Sequence, residues 1–129
     1  IDIATLTGAA LMALGQLTAP VLGNDQRVVD LTLAASAVTG EPLWQLPLER
    51  KYRPQLDSDV ADLANIGGRY AGATTAALFL DHFTRKTPWA HLDIAGTMAV
   101  DADESWRSKG ATGFGARLLL ETALTFTKA

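Results

Sequence analysis

The chain has 129 residues, 48% of them hydrophobic, with a formal net charge of −3 and no cysteine. That length fits one domain with one modest core, and the lack of cysteine excludes disulfides, thiolate metal sites and cysteine nucleophiles, in keeping with a reducing, cytoplasmic setting. Cations are scattered, with Arg50, Lys51 and Arg53 the densest group, and no apolar run approaches the ~18 residues of a membrane span, so neither a nucleic acid nor a membrane is an expected partner.

In chain order, short apolar runs of strand type alternate with longer runs of helical type, which is an α/β pattern. Residues 1–4 alternate as a strand already under way, and with Ile1 in place of Met the start is expected not to be a natural N-terminus. Residues 5–8 read as a tight loop and 9–14 as a short helix stopped by Gly15. A second apolar run at Val21 and Leu22 precedes Asn24 or Asp25, either of which can cap a helix with Val28, Leu31, Ala35 and Val38 on one face and Gly40 past its end. Trp44, Leu46 and Leu48 alternate around Pro47, an extended stretch that belongs at a sheet edge or outside it. The polar segment 49–62 is followed by a glycine-rich loop at 65–72. It leads into a helix at 73–83 with a stripe of Ala76, Phe79, Leu80 and Phe83. Residues 89–94 form the clearest strand, bounded by Pro88 and Gly96. After a polar loop holding Asp101, Asp103 and Glu104, the near-continuous apolar content of 113–126 predicts a helix packed on more than one side.

Three segments could carry chemistry. Residues 1–15 run strand, turn, helix, and ligands of open α/β sheets sit at the carboxyl ends of strands; Gly8 would let backbone approach a ligand. A plain strand-to-helix connection explains the pattern equally well. Thr5 and Thr7 have no nearby base that would make either a nucleophile. Residues 92–98 are a second strand end opening onto small residues. Met98 suits an adaptable apolar rim, although core filling is the plainer reading of it, and Asp93 between Leu92 and Ile94 reads as a buried carboxylate receiving backbone hydrogen bonds. The glycine turns at 67–72 and 110–115 lack the dinucleotide spacing and are better explained as turns at helix starts.

Metal-ligand spacing is missing. His82 and His91 are not at the i, i+4 spacing of a zinc helix, and the groups Asp57, Asp59, Asp62 and Asp101, Asp103, Glu104 read as solvated loops without a calcium-loop pattern.

Four blocks, DIATLTGA from Asp2, ADLANIGGRYAGATTAALFL from Ala61, PWAHLDIAG from Pro88 and KGATGFGARLL from Lys109, resemble in order and spacing the C-terminal half of the catalytic domain of the leucyl (cytosol) aminopeptidases. The resemblance covers essentially the whole chain. It implies a three-layer αβα fold with a mixed sheet, incomplete in this chain, belonging to a homohexameric exopeptidase that removes N-terminal, leucine-like residues from peptides. It further implies two divalent ions, Zn2+ or Mn2+, that activate a bridging water, with bicarbonate assisting. The family's metal-binding segment, N-T-D-A-E-G-R, is absent, so the ligands and the catalytic Arg and Lys lie outside this chain, which by itself is expected to be inactive. What carries over is the substrate side: Leu6 by its main chain toward substrate and bicarbonate, Gly8 by its N–H, and Thr5, Gly8, Ala95 and Met98 as the lining for the N-terminal side chain. A non-enzymatic peptide- or DNA-binding module and a nucleotide-binding α/β domain are the alternatives. The first follows from DNA-binding members of the family, the second from the glycine turns.

Overall fold

A computed structural model describes residues 1–127. Its framework is a four-stranded mixed sheet of β1 (Asp2–Ala4), β2 (Ala19–Gly23), β3 (Leu43–Gln45) and β4 (Ala90–Asp93), arranged β1-β4-β2-β3. β1 runs parallel to β4 with Asp2 opposite His91 and Ala4 opposite Asp93, whereas β2 is antiparallel to β4 and parallel to β3. A ribbon of β5 (Ala99–Val100) and β6 (Gly110–Ala111) stands apart.

Period-2 alternation divides the sheet's side chains between two helical layers. Ala19 and Val21 of β2 and Ala90 and Leu92 of β4 enter one cluster with Val29 and Ala35 of α2 (Gln26–Thr39) and Leu118 of α4 (Ala116–Thr125). Leu22 on the opposite face meets Trp89 and Ala77 of α3 (Gly72–Phe83), and α1 (Gly8–Leu14) packs beside α3. This is the expected three-layer α/β architecture. Each wholly buried leucine, such as Leu22, Leu92 and Leu118, contributes about 1.5–3 kcal/mol by leaving water.

Local signals account for the helix ends. Asp25 accepts the Arg27 N–H at the start of α2, and Gly40 ends it at φ 66°. Val21 and Leu22, which sequence alone marks only as an apolar run, lie in the central strand β2, whose first four residues are buried. Trp44 and its neighbours lie on the edge strand β3, as anticipated. The polar segment contains a 3-10 helix, Arg50–Leu56, that its polarity concealed.

Three buried faces differ from those read off hydropathy. α2 buries Val29, Thr32, Ala35 and Ser36 and leaves Val38 exposed. The hydroxyls satisfy themselves on carbonyls, Thr32 on Val29 and Ser36 on Glu41, so they bury at little cost. α3 buries Ala73, Thr74, Thr75, Ala77 and Leu78 and leaves Phe83 exposed, because its small residues let the helix lie close to the sheet and α1. α4 is covered on one side only: Leu118 and Thr122 are buried, while Leu120 and Leu124 face outward.

Candidate functional site

Because β1 and β4 are parallel neighbours, their carboxyl ends open at the same edge of the sheet. Ala4 accepts the Ile94 N–H at 2.8 Å, and beyond that point both chains turn. The first turn, residues 5–8, enters α1; the second, residues 94–98, folds around the Ile94 carbonyl, which accepts the N–H groups of Thr97 (3.1 Å) and Met98 (3.0 Å).

Asp93 joins the two turns. Its Oδ1 accepts the N–H groups of Leu6 at 3.0 Å, Thr7 at 3.2 Å and Ala95 at 3.2 Å, and its Oδ2 accepts the Thr7 hydroxyl at 2.6 Å. The side chain is buried, a position that a carboxylate tolerates only with donors such as these. Thr7 Oγ1 in turn accepts the Ala10 N–H at 3.0 Å and caps α1. With its hydroxyl engaged on both sides, Thr7 is a clamp between a helix and a strand end.

The five residues singled out from the sequence fall on this edge. Thr5, Leu6 and Gly8 are exposed on the first turn, while Ala95, partly buried, and Met98, exposed, stand on the second. A Cβ at Gly8 would meet nothing within 4 Å, so the backbone there borders open space. Neither the Gly8 N–H nor the carbonyls of Thr5 and Leu6 have hydrogen-bond partners among the described residues. Behind the second turn, Thr112 donates its hydroxyl to the Thr97 carbonyl at 2.6 Å and its N–H to the Met98 carbonyl at 2.9 Å. The whole is a shallow rim with small residues, one adaptable thioether and unused backbone groups. It can seat an apolar side chain and hydrogen-bond a polar main chain.

Asp93 matches the role read for it from sequence. The part of Thr112 had no sequence signal. Thr7 as a helix cap had one, a threonine three residues before an N–H of the first helical turn.

No group of three His, Cys, Asp or Glu side chains is placed to hold a metal among the described residues. Asp93 is occupied by the two turns, and Asp2, at the opposite end of β1, by Trp89 and His91. Among the described residues the donor set does not fit a divalent ion. In the loops, Asp57 pairs with Arg53 and Glu104 with Arg107, while Asp103 accepts the Lys109 N–H. The glycine segment 110–115 turns through positive φ at Gly110, Gly113 and Gly115 into α4, which accounts for its composition. A separate concavity of about 360 Å³ lies between Gln16, Glu41, Trp106 and Arg117, but its buried carboxylate, Glu41, is taken by the Leu118 N–H at 2.8 Å. No helix is long and apolar enough to cross a membrane among the described residues.

Residues 1–120 match the family described as the cytosol aminopeptidase family, catalytic domain. The chain is 53% identical over 121 residues to a probable cytosol aminopeptidase of Geobacter sulfurreducens, covering 94% of this chain and 24% of that protein. It is 48% identical over 124 residues to one of Solibacter usitatus, covering 96% and 26%, and 46% identical over 128 residues to one of Alkaliphilus metalliredigens, covering 99% and 26%. The chain thus spans about a quarter of the length of the curated relatives it matches.

Proposed function

The chain belongs to the cytosol aminopeptidase family, and from that premise we propose that it forms the substrate-side wall of a metal-dependent exopeptidase that releases leucine-like residues from the N-termini of peptides. The observation that carries this reading is the convergence of the two turns on Asp93, which gathers Thr5, Leu6, Gly8, Ala95 and Met98 on one edge.

In this reading the substrate's first side chain lies against Met98 and the small groups at Thr5, Gly8 and Ala95. The Leu6 carbonyl and the Gly8 N–H hold its main chain. Burying the side chain contributes about 0.8 kcal/mol per CH₂, so selection among apolar residues is modest. The hydrolytic centre is assigned to the remainder of the parent protein: two divalent ions, Zn2+ or Mn2+, and the catalytic Arg and Lys, with bicarbonate bound between them and the Leu6 main chain. A cytoplasmic homohexamer is the assembly proposed for the parent, by resemblance to the family.

The division of labour has a direct test. The parent, supplied with Mn2+ or Zn2+, is expected to release leucine steadily from Leu-p-nitroanilide, and the purified 129-residue chain is not. Turnover by the isolated chain would defeat the assignment of the hydrolytic centre to residues outside it.

A further inference from the structure

We infer that Asp93 is a positioning residue for the substrate rim: from its buried place between the ends of β1 and β4 it sets the separation of the two turns and faces the carbonyls of Thr5 and Leu6 toward the ligand. The inference rests on the aminopeptidase reading above and deepens it.

In a trans peptide the C=O points opposite to the N–H of the next residue. Oδ1 of Asp93 draws the N–H groups of Leu6 and Thr7 inward, which turns the carbonyls of Thr5 and Leu6 away from the buried carboxylate. Neither carbonyl has a partner among the described residues, so both stay available to N–H donors, such as the ammonium and amide groups at a peptide's start. The same oxygen takes the Ala95 N–H, so one atom fixes the near ends of both turns.

The second turn also meets the far end of α1. A Cβ at Gly96 would collide with the Gly15 carbonyl oxygen, so the turn already touches the backbone there. That contact is steric and sets only a minimum approach. The attraction comes from Asp93 acting on Thr7 and on the backbone N–H groups. Charged hydrogen bonds of this kind are short and directional, so their loss loosens the rim at the positions that receive the side chain. Grip on that side chain is the same in the ground and transition states, so its loss falls on KM rather than kcat.

The test uses the full-length parent loaded with Mn2+. Asp93→Asn keeps the shape but presents an amide donor to Thr7. It is expected to raise KM for Leu-p-nitroanilide about 10-fold, with kcat within about 3-fold, bound metal unchanged, and a flatter preference among Leu, Met and Phe substrates. Thr7→Val should move KM in the same direction, and Thr7→Ser, which restores the hydroxyl, should return it to the wild-type value. A folded Asp93→Asn protein with wild-type KM and preference, or one losing kcat in step with metal, overturns the inference. Should that variant not fold, wild-type KM in Thr7→Val overturns it equally. A wild-type parent that releases no leucine is a different outcome, which overturns the aminopeptidase reading together with what is built on it.

Discussion

Asp2 and His91 face each other across β1 and β4, with Asp2 Oδ1 2.6 Å from His91 Nδ1, while Asp2 Oδ2 accepts the Trp89 indole N–H at 2.6 Å. A carboxylate only accepts, so the ring nitrogen facing it carries the proton. His91 and Trp89 are both buried and stack with centroids 6.2 Å apart. One residue at the start of β1 thus satisfies two buried donors, one on β4 and one just before it. Asp2→Ala strands both. Because Asp2 is only partly buried, water recovers some of the loss, and a destabilisation of about 2–3 kcal/mol is expected. Asp2→Asn, which keeps one acceptor, should lose roughly half as much. Urea unfolding of the parent measures both, and wild-type stability in Asp2→Ala would show that the two donors find other partners.

Gly8 and Met98 test the rim without disturbing the fold. A Cβ at Gly8 has free space around it and the residue opens a helix, so Gly8→Ala should be neutral or stabilising by up to about 1 kcal/mol. The added methyl occupies space assigned to the substrate, and KM for leucine substrates should rise. Met98→Ala should reorder the preference among N-terminal residues more than it alters metal affinity. Equal loss for all substrates, in step with metal loss, would remove Met98 from the pocket.

Gly96 behaves in the opposite way. Its Cβ would collide with the backbone oxygen of Gly15, which no rotamer change relieves, so Gly96→Ala should lower stability by about 2 kcal/mol or more. A melting temperature equal to wild type would mean that the second turn is free to move away from α1.

Thr97 is buried with a hydroxyl that has no partner among the described residues. An unsatisfied buried hydroxyl is costly, and Val has nearly the same shape. Thr97→Val is therefore expected to be neutral or to raise stability by about 1 kcal/mol, with KM unchanged. A clear loss of stability would indicate a partner for the hydroxyl, such as an ordered water.

Some of this architecture was readable from residue order because its causes are local. Asp25 and Gly40 mark the ends of α2 by capping chemistry confined to a few residues. Pro88 and Gly96 bracket β4. The apolar faces of α2 and α3 were read less well. Hydropathy counts Val38 and Phe83 as core and Thr32 and Thr75 as surface, yet the structure reverses all four. Burial depends on which neighbour a face meets and on whether each hydroxyl finds a carbonyl. The two outward leucines of α4 show the same limit, since an apolar sequence states what could be buried and not what covers it.

The candidate site divides along the same line. Sequence by itself determined the family, the α/β class and the small-residue turns at 5–8 and 95–98, because each is written in residue types at short spacing. Only the tertiary structure decided that the two turns share an edge and that Asp93 joins them. Leu6 and Asp93 are 87 positions apart, and parallel pairing of β1 with β4 brings them together. That pairing is selected by the packing of both faces of the sheet, a property of the assembled layers rather than of either strand alone.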